Sequence, residues 1–148
     1  MALDTGALMG GDNARLREHG IAILRIFVGG VFLAHGYLKL FKMGMAGTTG
    51  FFTQLGVPLP ELSAWLVALV ETLGGIALIL GVFTPIVGAA LVGDMLGAIY
   101  FAKRGAGFFA PKGYELELTL LVAAAALALT GPGSLSLKSV FRRRATTG

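Results

Sequence analysis

Cysteine is absent from the 148-residue chain. Disulfides, thiolate metal ligation and thiol catalysis are therefore excluded, and any redox chemistry must reside in a bound cofactor or a partner. Charge is scarce as well: acids and bases make up 14% of the residues, against 55% hydrophobic. A mean hydropathy of +0.81 lies far from the balance of a soluble domain. Histidine occurs only as His19 and His35. His19 falls in a polar stretch and reads as solvated, which leaves one usable imidazole and no i, i+4 pair, so neither haem nor a multi-histidine metal site is expected. No phosphate-binding glycine loop and no Ser-His-Asp arrangement is present. What remains is a succession of apolar runs about 20 residues long, the length that crosses a bilayer.

These runs predict an all-α integral membrane protein built as one domain, a four-transmembrane-helix bundle. Residues 1–19 are polar and glycine-rich and read as a loose N-terminal tail; 20–130 form the membrane domain, and 131–148 a basic C-terminal tail. Within the membrane domain the expected helices span about 20–42, 61–80, 85–102 and 114–130. Arg15 and Arg17 before an apolar run imitate a secretory signal. Arg25 interrupts that run, which continues past His35 without a small-residue cleavage site, so it reads as a retained first helix. Pro60-Glu61 suits a helix start, Trp65, Tyr100 and Phe101 suit the bilayer interfaces, and Gly131-Pro132-Gly133 ends the last helix.

Residues 43–60 and 103–113 read as two long loops on one side of the membrane. Gly50-Phe51-Phe52 in the first is echoed by Gly107-Phe108-Phe109 in the second, each ahead of a proline and a helix-starting acid. The echo suggests two helical hairpins related by a pseudo-twofold axis along the membrane normal. The simpler explanation is that interfacial loops in general collect Gly, Phe and Pro, with Phe51 and Phe52 dipping into the interface. The net charge of +4 comes largely from Lys138 and Arg142 to Arg144. Beside a membrane helix such a tail marks the cytoplasmic side and touches anionic lipid, which places both termini inside and makes nucleic acid an unexpected partner.

Ionisable residues inside apolar runs are the candidates for function, because an unpaired charge at bilayer depth costs at least ~2.5 kcal/mol. Glu71 and Asp94 lie near the middle of the second and third expected helices, and Glu115 at the outer end of the fourth. On the first helix, at about 100° per residue, His35 and Lys39 fall within about 80° of Arg25. Gly29 and Gly36 join them, while Phe27, Val31, Leu38 and Phe41 take the opposite, lipid-facing side. Depth allows Arg25 to meet Glu71 or Asp94, and His35 and Lys39 to meet Glu71 or Glu115. Such pairs can merely fix helix register. His35 with Glu71 favours function, since histidine titrates near neutral pH. Gly93-x-x-x-Gly97 and Gly74-Gly75 read as helix-packing sites, and Glu117 as solvated.

The run L-R-I-F-V-G-G-V-F-L-A-H-G-Y-L-K-L-F (Leu24 to Phe41) resembles the first helix of the DoxX family. E-T-L-G-G-I-A-L-I-L-G-V-F-T (Glu71 to Thr84), G-F-F-A-P-K-G-Y-E-L (Gly107 to Leu116) and G-P-G-S-L-S-L (Gly131 to Leu137) resemble its later signatures, in order. The H-G-x-x-K-L and E-x-x-G-G pieces together are the most specific. The resemblance covers about residues 20–140 and implies a small four-helix protein of the bacterial inner membrane. It also implies redox association, since members include a subunit of a thiosulfate:quinone oxidoreductase and a mycobacterial oxidative-stress complex. The family's recurring polar positions match Arg25, His35, Lys39, Glu71 and Glu115. Its usual terminal acid is replaced here by Lys138 after Leu137.

Resemblance and buried acids together set the expectation: a redox-associated subunit binding a quinone, or a similar amphipathic molecule, inside the bundle. In that reading His35 and Glu71 are the catalytic pair, donor and proton relay, Glu115 stands at the mouth and Lys39 attracts an anionic co-substrate. Membrane lipids and other subunits or further copies of the chain are the expected partners. Two alternatives come from other classes: a non-catalytic scaffold that recruits soluble redox enzymes through its basic tail, and a small transporter acting as an oligomer.

Overall fold

The computed structural model describes residues 5–109 and 111–145, with side chains over 13–109 and 111–141. Every regular element among them is helical: α1 (Thr5–Tyr37), a π-helical turn (Leu38–Lys42), α2 (Gly44–Gln54), α3 (Pro60–Leu80), α4 (Thr84–Ala102), α5 (Glu115–Thr130) and α6 (Leu137–Ala145). Among the described residues three helical stretches are long and apolar enough to cross a membrane: Asn13–Lys42, Pro60–Leu80 and Thr84–Ala102. α5, at 16 residues, is shorter. The expected tail over 1–19 is helical from Thr5 onward, so the first helix extends well beyond its apolar part. Residues 1–4 and the side chains of Arg142 to Arg144 lie outside the described residues.

Small residues decide which helices touch. A Cβ added at Gly29 would sit 2.7 Å from the Gly75 carbonyl oxygen, and one at Gly75 would sit 2.6 Å from the Leu33 amide nitrogen. One turn further along, a Cβ at Gly36 would meet the Thr72 amide nitrogen at 2.7 Å. α1 and α3 therefore pack backbone to backbone, as small residues permit in membrane helices. α4 and α5 do the same where Gly88 meets Ala124 and Ala128. A turn at Gly81, whose φ of +73° suits glycine, joins α3 to α4. The core between the pairs holds Phe32, Leu78, Leu91, Met95, Leu120 and Leu127. Phe27, Phe41, Leu62, Leu73, Ile86 and Leu129 point outward, an apolar exterior suited to lipid. Val31, expected on that lipid side, is instead half-buried against the core.

Of the two expected loops, the first departs from its reading and the second keeps to it. Residues 43–60 contain α2, which seats Phe52 inside while Phe51 stays exposed. α2 is tied to the π turn by the buried Thr48 hydroxyl, which donates to the carbonyls of Lys39 (3.1 Å) and Gly44 (3.0 Å). Residues 103–113 carry no such helix. They close on themselves through backbone bonds from Tyr114 to Gly107 and from Glu115 to Phe108. The two Gly-Phe-Phe segments thus share sequence and not local structure.

Candidate functional site

Three of the singled-out side chains converge. The π turn carries Lys39, and its ammonium donates to Glu71 Oε2 at 2.6 Å, with both side chains largely buried. Asp94 of α4 lies within hydrogen-bonding reach of Glu71 and in the field of Lys39. Its Oδ2 is buried without a hydrogen-bond partner. One cation thus faces two carboxyls, and an acceptor oxygen is left over.

This triad stands at the wall of a cavity of about 530 Å³ between α2, α3 and α4. The remaining lining is apolar apart from Ser63 and includes Phe51, Phe52, Val67, Val70 and Phe101. Gly93 and Gly97 also line it, and a Cβ at either would meet nothing within 4 Å. Their expected role in close helix packing is therefore corrected: they leave space for the cavity, while Gly88 makes the close contact of α4. The π turn contributes as well, since an extra residue in a helical turn shifts the following side chains around the axis, and such turns cluster at functional sites.

The other candidates lie elsewhere. Arg25 meets neither Glu71 nor Asp94. Its buried guanidinium donates to the carbonyls of Pro132 (2.9 Å) and Leu135 (2.7 Å), holding the segment after α5. Gly81 packs directly against it, leaving no room for a side chain. The expectation failed because neutral carbonyls at a glycine-rich chain reversal can accept from a guanidinium in place of an acid, here from both terminal nitrogens while Nε stays unbonded. His35 is also absent from the cavity lining; its Nδ1 bonds to the Val31 carbonyl of its own helix at 2.9 Å. Glu71, its expected partner, is taken by Lys39. Glu115 starts α5, away from the cavity. Glu117, expected in solvent, is partly buried and lies 3.5 Å from Lys103. Among the described residues no group of three or more His, Cys, Asp or Glu side chains gathers as a metal site.

The DoxX family profile matches residues 20–104, which contain the whole triad. The chain belongs to the DoxX family. It is 37% identical over 120 residues to a Bacillus subtilis protein named "Putative oxidoreductase CatD", covering 81% of this chain and 85% of that one. It is 31% identical over 137 residues to the "Uncharacterized membrane protein Rv3486" of Mycobacterium tuberculosis, covering 85% and 83%. It is 31% identical over 124 residues to the "Inner membrane protein YphA" of Escherichia coli, covering 79% and 86%. No solved structure matches it. The chain is thus a membrane protein of this family, with a relative named as an oxidoreductase.

Proposed function

We propose that this DoxX protein is a redox-associated subunit of the bacterial inner membrane that binds a quinone, or a similar amphipathic ring compound, in the α2–α3–α4 cavity. The observation that carries the reading is the Lys39–Glu71–Asp94 triad on the wall of an otherwise apolar space of about 530 Å³. Small-molecule sites have this character: about 300–1,000 Å³, apolar walls and a few convergent polar groups. Lys39 supplies a donor for a ring carbonyl, and Asp94 Oδ2 an acceptor for a ring hydroxyl. Glu71 and Asp94, two carboxyls beside one ammonium on the cavity wall, are placed to receive or release a proton as a bound ring changes its hydroxyl state. The relative named as an oxidoreductase points the same way.

In this reading α5 is the fourth span. Its C-terminal end lies beside Arg25 through the Pro132 and Leu135 carbonyls, as does the α3–α4 turn at Gly81. Its start lies at the opposite end, where Lys103 after α4 faces Glu117. Four antiparallel crossings then put both termini on one side, which we assign to the cytoplasm from the basic C-terminal segment. Further subunits that exchange electrons with the bound ring belong to the proposal, since the chain has no cysteine of its own.

Native mass spectrometry of the detergent-purified protein tests the reading. A stoichiometric ring compound, present in the wild type and lost from a folded Asp94→Asn variant, is expected. Phospholipid alone, unchanged by the substitution, would reject it in favour of a scaffold.

A further inference from the structure

A second, wholly apolar cavity of about 230 Å³ adjoins the first along the α3–α4 crevice. Leu66, Val70 and Ala90 line both, so the two spaces lie side by side along the same pair of helices. From there the crevice runs between Leu73 on α3 and Ile86 on α4, toward the Gly81 turn. Its rim is open: Leu66, Leu73 and Ile86 are 61%, 61% and 72% exposed at positions inside the spans. The cavity that holds the polar triad thus lies beside a greasy groove facing the bilayer.

We infer that the site takes a molecule with a hydroxyl-bearing polar head and a long hydrocarbon tail, the head at Lys39 and Asp94 and the tail in the α3–α4 crevice, entering sideways from the membrane. This rests on the cavity reading above and specifies its ligand. The head chemistry follows from Asp94 Oδ2, a buried acceptor without a partner, because leaving such an atom unmet costs more than bonding it gains. The tail follows from adjacency, since a groove with no polar lining beside the head site offers a ligand nothing except dispersion contacts. Lateral entry follows from depth, as a solute dissolved in lipid meets the rim at Leu66 and Ile86 without crossing water.

The test uses the full chain in nanodiscs and two hydroquinones that share one ring, one tailless and one with a ten-carbon chain. Affinities are compared at equal mole fraction in lipid, so that partitioning cancels. In the wild type the tailed compound binds more tightly. Ile86→Trp and, from the other wall, Leu73→Trp cut the affinity for the tailed compound about tenfold (about 1.4 kcal/mol) and leave the tailless one unchanged. Asp94→Asn weakens both. A tail advantage that survives both tryptophan variants, with head binding intact, overturns the crevice while leaving the head site standing. Binding of neither compound overturns the head site and the crevice together. A diazirine at the tail end gives an independent readout: labelling is expected on α3 and α4 between Leu69 and Ile86, and labelling confined to α1 or α5 contradicts it.

Discussion

Gly75→Ala is the most direct perturbation of the helix contact that positions the triad. The new methyl would lie 2.6 Å from the Leu33 amide nitrogen and 2.7 Å from the Gly29 carbonyl oxygen. Both are backbone atoms, so no side chain can rotate away. Ordinary contact begins near 3.4 Å, which requires α1 and α3 to part by about 0.8 Å at the tighter of the two contacts. Overpacking of this kind costs about 1–3 kcal/mol. Gly75 is one turn beyond Glu71, so the movement also strains the 2.6 Å bond from Lys39. Gly30→Ala is the control: a Cβ there meets nothing within 4 Å, and alanine in a helix is favoured by up to about 1 kcal/mol over glycine. Thermal unfolding in detergent, followed through Trp65 fluorescence, should show Gly75→Ala clearly destabilised and Gly30→Ala unchanged or improved. Equal melting of the two variants would refute the backbone-to-backbone packing of α1 on α3.

Lys39→Met should destabilise the protein by about 3–5 kcal/mol, because it leaves Glu71 buried without its cation. Adding Glu71→Gln should restore most of the loss in a double-mutant cycle. Arg25→Met removes two charge-assisted bonds to Pro132 and Leu135, worth about 1.5–3 kcal/mol each; hydrogen exchange over 131–141 should accelerate by at least tenfold while α3 stays protected. His35→Ala, outside the cavity lining, should leave hydroquinone affinity within about twofold, checked by titration in nanodiscs.

Much of this fold can be read in the chain because membrane helices are written as long apolar runs. Pro60, Thr84 and Gly81 bound α3 and α4 almost where composition alone would put them. α2 was hidden because Gly44–Gln54 contains three glycines and three threonines and shows no apolar stripe. Its helix is held by the tertiary bond from Thr48 to the π turn rather than by propensity. The site was half legible. Lys39, Glu71 and Asp94 stand out as ionisable residues in apolar surroundings, but wheel angles assume a regular α-helix. Depth and angle allow both His35 and Lys39 to meet Glu71, and the structure, with a π turn at Leu38–Lys42, has Lys39 there. Arg25 was misread for another reason, since carbonyl partners more than a hundred positions away leave no local signal. The glycines divide likewise: Gly75 and Gly88 admit a neighbouring helix while Gly93 and Gly97, at the spacing of a packing motif, leave a void.

Filling the cavity tests the central claim most directly. Gly97→Leu places a side chain where even a Cβ touches nothing within 4 Å, so the fold should tolerate it while the space beside Asp94 closes. Titration of the tailed hydroquinone into nanodisc-held protein should show saturable binding to the wild type and a loss of at least tenfold for a Gly97→Leu variant of unchanged melting temperature. Equal affinity in the two proteins would mean that the ligand binds elsewhere and that the triad serves only to hold the helices together.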